Sequence, residues 1–261
     1  MNSRLHIIAG YKQGSSYVKD LYVSPPFRVV SVGQRKTDNK LYQIVMSTSP
    51  GILCGDRYQL DIDLEKGAAL QLQSQSYQRL FNMKNDAVQK LTISMEDDTS
   101  FAYVPHPVVP HENSDFKSKA EIRIGTNSQV IISEIITCGR KHYGELFKLR
   151  RFQNLTEIYH KNKLVVKDNV LIQPDLIPIN GIGNLEEFTH QGTLIFYSTK
   201  ENVDKNLLVE TIYSIIESQS EMEIGISAME DNGFVIRTLG NGGEVMYNFF
   251  LKVQEILWEL E

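Results

Sequence analysis

The chain has 261 residues, 41% hydrophobic and 23% charged, with a formal net charge of −5. That length allows one large domain or two modest ones around a substantial core, and the acidic balance argues against phosphate recognition, which needs a basic patch. The longest apolar stretches, such as Val130-Ile131-Ile132, fall far short of a membrane-spanning helix, and the start, Met1 to Ile8, lacks the sustained apolar run of a signal peptide.

From the start to about residue 175 the chain reads as strands. β-Branched and aromatic residues alternate at period two over 18–23, 41–46, 58–64, 69–73, 89–94 and 120–124. Breakers separate them at Ser49-Pro50-Gly51, Glu65-Lys66-Gly67 and Gly125-Thr126-Asn127. The pattern predicts a mainly β, many-stranded region over 1–175, either antiparallel or coiled.

Residues 176–261 change character and are expected to form an α+β part carrying two helices, packed on the first region as one unit. Val203, Leu207, Leu208, Ile212, Ile215 and Ile216 recur at helical spacing, predicting an amphipathic helix over 203–219. A second is predicted from about Glu244, with Phe249, Phe250, Val253 and Leu257 on one side. Between them, 223–229 and 234–239 read as a hairpin turned at Glu230-Asp231-Asn232-Gly233, where Asn-Gly supplies positive φ. With a strand over 193–198 the order is β-α-β-β-α. Gly181-Ile182-Gly183-Asn184 is the one flexible stretch before it, and no repeat of fixed period is present.

Three clusters concentrate chemistry. Ser49-Pro50-Gly51-Ile52-Leu53-Cys54-Gly55-Asp56 has the Pro-Gly of a type II turn, with Gly55 expected where backbone approaches closely. Asp56 either caps amides there or is an acidic group held for a function. Pro105-His106-Pro107-Val108-Val109-Pro110-His111-Glu112 is a stiff extended segment. His106, His111 and Glu112 are either metal-type ligands or residues of a rigid surface loop. Glu134 precedes a Gly-flanked turn, Gly139-Arg140-Lys141-His142-Tyr143-Gly144-Glu145. There, Arg140 pairs with one glutamate structurally, or the carboxylates are functional. Cys54 and Cys138 form no CxxC motif and are expected as buried thiols of a reducing cytoplasm. Spacing assigns metal contact to neither cysteine, nor to His106, His111 or His142. No GxSxG, HExxH, Walker A or GxGxxG motif is present, so no enzyme is expected.

At these clusters the chain resembles the UreD (UreH) family of urease accessory proteins. The family's Ser-Pro-Gly turn leading to Gly-Asp is met by Ser49-Pro50-Gly51 and Gly55-Asp56, and its Gly-Ala before a Gln-containing strand by Gly67-Ala68 and 73–79. Its Pro-x-Pro-x-x-Pro segment is met by 105–110, followed by Glu112-Asn113. Its most specific signature, Glu then Gly-Arg-x-x-x-Gly-Glu-x-Phe, is met by Glu134, Gly139-Arg140, Gly144-Glu145 and Phe147. Pro26-Phe27-Arg28 and Asp168-Asn169 to Pro174 extend the match. The chain departs from the pattern in having Ile52 after the turn, a Gln/Ser-rich strand, and Arg79 for the usual lysine.

The resemblance implies a coiled, β-helix-like structure and a non-enzymatic chaperone. It implies that the chaperone binds UreF, recruits the GTPase UreG through it, and docks on apo-urease to deliver nickel. No nucleic acid or membrane partner is implied. It further implies a transient nickel path along interior carboxylates, for which Asp56, Glu112, Glu134 and Glu145 are the candidates, Asp56 and Glu145 foremost. Gly51, Gly55, Gly139, Arg140 and Gly144 are then structural. Scattered carboxylates suit a conduit because they release a divalent ion more readily than a closed Cys/His cage. The rivals are a β-helical carbohydrate-active enzyme, with Asp61 and Asp63 as its acid pair, and a β-rich interaction module without a metal role.

Overall fold

A computed structural model describes residues 1–32, 38–201, 203–216, 221–229 and 233–260. The chain opens with β1 (Asn2–Lys12), β2 (Ser15–Val23), β3 (Phe27–Ser31), β4 (Leu41–Ser47), β5 (Arg57–Leu64) and β6 (Ala69–Ser74). Next come β7 (Gln78–Leu80), β8 (Ala87–Met95), β9 (Ser100–Tyr103), β10 (Val108–Pro110), β11 (Asp115–Ile124) and β12 (Gln129–Thr137). Then follow β13 (Arg151–His160), β14 (Lys163–Ile172), β15 (His190–Ser198), α1 (Lys205–Ile216), β16 (Met222–Ala228), β17 (Gly233–Gly240) and α2 (Gly243–Trp258).

The strands form two sheets. One runs β14-β13-β11-β8-β5-β1-β2 and the other β16-β17-β15-β12-β9-β6-β4-β3, with β10 pairing both β12 and β7. Between β4 and β13 the chain passes back and forth from sheet to sheet. Each turn lays its strands parallel on those of the turn before: β5, β8, β11 and β13 in the first sheet, and β4, β6, β9 and β12 in the second. The architecture is therefore mainly β and coiled, as expected. Period two reports which face a residue occupies and not the direction of its partner, so sequence alone left antiparallel pairing open.

Parallel stacking aligns like residues. Ile7, Ile62, Ile93, Ile122 and Ile158 sit in one register row, all fully buried between the sheets. Each such side chain contributes roughly 1.5–3 kcal/mol. The adjacent row, His6, Asp61, Thr92, Glu121 and Glu157, points outward. There Asp61 pairs with Arg4 at 3.1 Å and Asp63 with His6 at 2.7 Å, so the two carboxylates are each engaged by a basic neighbour rather than facing one another.

The second sheet is apolar on both faces. Leu70, Phe101 and Val130 turn toward the first sheet, while Ala102, Ile131, Leu194, Phe196 and Phe234 pack under Met246, Phe249, Phe250, Val253 and Leu257 of α2. Leu208 and Ile212 of α1 join that outer core. Asp204 caps α1, its Oδ1 accepting the amides of Asn206 and Leu207. The last third continues the second sheet, because β15 pairs antiparallel with β12 and β17 with β15. The expected hairpin is present as β16 and β17; most of its turn, residues 230–232, and the expected helical residues 217–219 lie outside the described residues.

Candidate functional site

The alternation that fills the space between the sheets with isoleucine fails at one level, and there the interior is polar. On the first sheet Tyr58, Gln89, Ser118 and Asn154 are in register with one another in turn. One step along, Asp168 of β14 stands opposite Thr156. On the facing sheet Glu134, Thr193 and Arg237 form a second register row. Buried polar groups need partners or water, and this seam has room for water. Gln89, Ser118, Glu134, Asn154 and Asp168 line a space of about 60 Å³, enough for a few molecules.

Glu134 is the acidic centre of the seam. Its side chain enters from β12, is half-buried, and lines the cavity. Burial pushes its pKa up to about 8; Asp168 acts in the same direction, and a hydrogen bond with Asn154 opposes both. At neutral pH this carboxyl is thus mostly protonated. Asp168 accepts a hydrogen bond from Nη2 of Arg237, whose Nη1 donates to Thr193 Oγ1 at 2.9 Å.

Further spaces lie beside the seam. Arg237, bonded to the seam residues Asp168 and Thr193, lines an open cleft of about 630 Å³ with Asn169, Gln191 and Glu223. A pocket of about 130 Å³, walled by Gly51, Tyr58, Ser74 and Arg79, shares Gln78, Gln89, Tyr103 and His106 with the seam. His106 lies 2.8 Å from Ser74 Oγ through Nδ1 and stacks on Tyr247 of α2 at 4.2 Å. Burial lowers its pKa, so the imidazole is neutral at pH 7.

The other expected residues occupy different places. Asp56 is buried behind Tyr58. Its Oδ2 accepts the Leu53 amide at 2.8 Å and the Tyr58 hydroxyl at 3.1 Å, and its Oδ1 the Met1 amino group at 2.9 Å. Burial, with the Asp56 charge next, raises the Tyr58 pKa. Glu145 accepts two bonds from Arg140, one from Nε at 2.8 Å, and the Glu112 amide at 3.3 Å. Arg140 holds its pKa below the usual carboxylate range. The Glu112 side chain is exposed, and neither it nor Glu145 lines the seam or the spaces beside it. Of the four candidate carboxylates, the fold thus brings Glu134 alone into the seam. Asp168 joins it. The signal for Asp168 was its inward position between Val166 and Val170 of β14, a strand not picked out from the sequence.

His111 is buried against Phe81 at 4.8 Å, burial lowering its pKa, and its Nε2 has no hydrogen-bond partner. His142 is exposed on the short 3₁₀ turn Lys141–Tyr143. Cys138 is a buried thiol, whereas Cys54 is exposed, contrary to expectation, because it lies on the outer side of the turn that Asp56 closes. Among the described residues no three His, Cys, Asp or Glu side chains converge as a closed metal site.

The glycines of the turns divide by cause. A Cβ on Gly51 would meet the Arg79 carbonyl at 2.4 Å, so the close backbone approach expected at Gly55 is at Gly51 instead. Gly55 has open space around it but φ of +78°, which favours glycine. Asp56→Ala would strand the Leu53 amide and the Tyr58 hydroxyl. It is expected to cost about 1–3 kcal/mol, read as a lower midpoint in denaturant with an unchanged slope.

Comparison with known proteins converges on one family. The family model "UreD urease accessory protein" matches residues 1–260. The chain is 47% identical over 262 residues to the urease accessory protein UreD of Flavobacterium johnsoniae, covering 100% of this chain and 94% of that one. It is 32% identical to the Acetivibrio thermocellus protein of the same name, covering 98% and 97%. Against that of Actinobacillus pleuropneumoniae serotype 5b the figures are 30%, 94% and 93%.

Proposed function

The chain belongs to the UreD family of urease accessory proteins, and on that premise we propose that it is a cytoplasmic scaffold of urease maturation through which nickel passes to apo-urease. In this reading it works with a UreF-type partner and, through that partner, a UreG-type GTPase. The observation that carries the reading is the polar seam: Glu134 and Asp168 in a hollow of about 60 Å³ between the sheets, with larger spaces on either side of it.

The seam suits a passing dication better than a resident one. A fixed site would gather several ligands around one point, but here the donors are spread along the sheets as amide oxygens, hydroxyls, one neutral imidazole and two carboxylates. A hydrated Ni²⁺ moving along them would exchange a few waters at a time and never lose its whole shell. On arrival the ion displaces the Glu134 proton to water, and the carboxylate then carries the charge that burial alone disfavours. In this reading Asp56 and Glu145 shape the walls and the turn. No described helix is long and apolar enough to cross a membrane.

The test is reconstitution. Co-expressed with urease subunits and the other accessory proteins, the chain is expected to raise both the nickel content of urease and urea hydrolysis. Alone it is expected to turn over neither urea nor nucleotides. Urease that fills with nickel equally well when the chain is omitted would remove the proposal.

A further inference from the structure

The ion pair between Arg237 and Asp168 stands between the seam, whose wall includes Asp168, and the open cleft, whose wall includes Arg237. Val235, Arg237 and Leu239 turn toward the first sheet, as the packing of Val235 and Leu239 into the inter-sheet core shows. Asp168 comes from β14 at the edge of the opposite sheet. The guanidinium thus spans the sandwich. It has Asp168 and Thr193, two walls of the seam, on one side and the cleft of about 630 Å³ on the other.

The two partners differ in freedom. The Asp168 side chain keeps 12% of its surface accessible, whereas Arg237 keeps 46%. The carboxylate is therefore fixed in the wall, while the long arginine stem has open space into which it can swing. In the closed position a positive charge sits between the seam and the cleft and occupies the carboxylate that a cation leaving Glu134 would next meet. A dication and a guanidinium held at one carboxylate repel each other, so each weakens the other's hold on it.

We propose that Arg237 is a cationic latch, a positioning residue that competes with the passing metal ion for Asp168 and so sets how long the ion is held in the seam. This rests on the reading that nickel travels along the seam, and it adds the element that governs release. With the latch closed, Asp168 is neutralised and Glu134 is the sole unpaired carboxyl in the hollow. With it open, Glu134 and Asp168 act together on the ion. As the ion leaves, the guanidinium returns to Asp168 and opposes its re-entry.

The experiment uses the full chain bound to its UreF-type partner, with Ni²⁺ alone as the probe in equilibrium dialysis. Arg237→Gln frees Asp168 and is expected to tighten Ni²⁺ binding about tenfold. Arg237→Lys keeps the charge and is expected to bind as the parent does. The double variant Arg237→Gln with Asp168→Asn is expected to lose the gain. An arginine that merely staples the sheets would shift the melting temperature and leave Ni²⁺ affinity where it was, and that result overturns the latch. A gain that persists in the double variant does the same. If Arg237→Gln assembles poorly, Thr193→Val removes one of the latch's hydrogen bonds and no charge. It is expected to give a smaller tightening of the same sign, and unchanged affinity there is equally fatal. The path itself is read separately, from nickel delivered to urease by a Glu134→Gln chain. Loss of delivery in that variant with no change in affinity on altering Arg237 or Thr193 leaves the path standing and removes the latch alone.

Discussion

Replacing Glu134 with Gln is expected to raise the melting temperature of the partner-bound chain at pH 8 while cutting the nickel it delivers to urease about tenfold. The two effects share one cause. Burial raises the Glu134 pKa from an ordinary 4.5 to about 8, so between those values the folded chain holds a proton that the unfolded chain has released. Stability then falls as pH rises through that window, by on the order of 4 kcal/mol at pH 8. Below pH 4.5 both states are protonated and the penalty is absent. Gln is a close isostere that never ionises and can keep a hydrogen bond with Asn154. It removes the penalty, so melting curves at pH 5 and pH 8 should converge, with a gain of roughly 5–15 °C at the upper end. Delivery moves the other way. A carboxylate 4 Å from a unit charge is worth about 4 kcal/mol at an effective dielectric near 20, so even a fraction of that surviving desolvation gives the tenfold effect. A residue kept for packing would not improve stability when neutralised and lose transport together. If Glu134→Gln delivers nickel as the parent does, the seam is not the path.

Much of this architecture is legible in the chain because burial between two sheets leaves a period-two imprint. The strands at 57–64, 87–95 and 115–124 announce themselves through Leu60-Ile62-Leu64, Leu91-Ile93-Met95 and Ala120-Ile122-Ile124. The edges are harder to see. Strand β14 alternates only weakly, with Val166 and Val170 inward but Asp168 between them, and β13 carries Asn154 and Thr156 where a core strand would carry apolar residues. The polar seam erases the periodicity that would have exposed it. The resemblance singled out Glu134 because that residue lies in a local signature. It took in Asp168 only as part of the Asp168-Asn169 match, with no role attached, and did not take in Arg237; the two meet because β14 and β17 from opposite sheets face each other. Asp56 and Glu145 stood out for the same local reason as Glu134. Most of their partners are donors within a few residues, Leu53 and Tyr58 for Asp56 and Arg140 for Glu145, joined by the Met1 amino group and the Glu112 amide from farther along the chain.

Gly139→Ala is expected to cost roughly 2–4 kcal/mol, whereas Gly144→Ala, in the same turn, is expected to cost only about 1 kcal/mol. Both glycines have positive φ, +110° at Gly139 and +73° at Gly144, so both substitutions strain the backbone. They differ in space. A Cβ at Gly144 meets nothing within 4 Å, but at Gly139 it would lie 2.7 Å from the Pro110 carbonyl oxygen and 3.0 Å from that of Glu145. Those are backbone atoms and cannot rotate away. Relief requires the end of β10 and the Glu145 turn to separate. That motion would stretch the bond from the Glu112 amide to Glu145, and with it the Phe147 amide to Cys138 carbonyl contact of 2.7 Å. For a chain of this size the Gly139 variant should melt roughly 5–15 °C lower and recover less partner in a pull-down. The complex that does form still contains Glu134, Asp168 and Arg237 in place, so nickel delivered per complex should stay at the parent level. Equal melting temperatures for the two glycine variants would remove the steric account, and a drop in nickel per surviving complex would move this turn from the scaffold into the path.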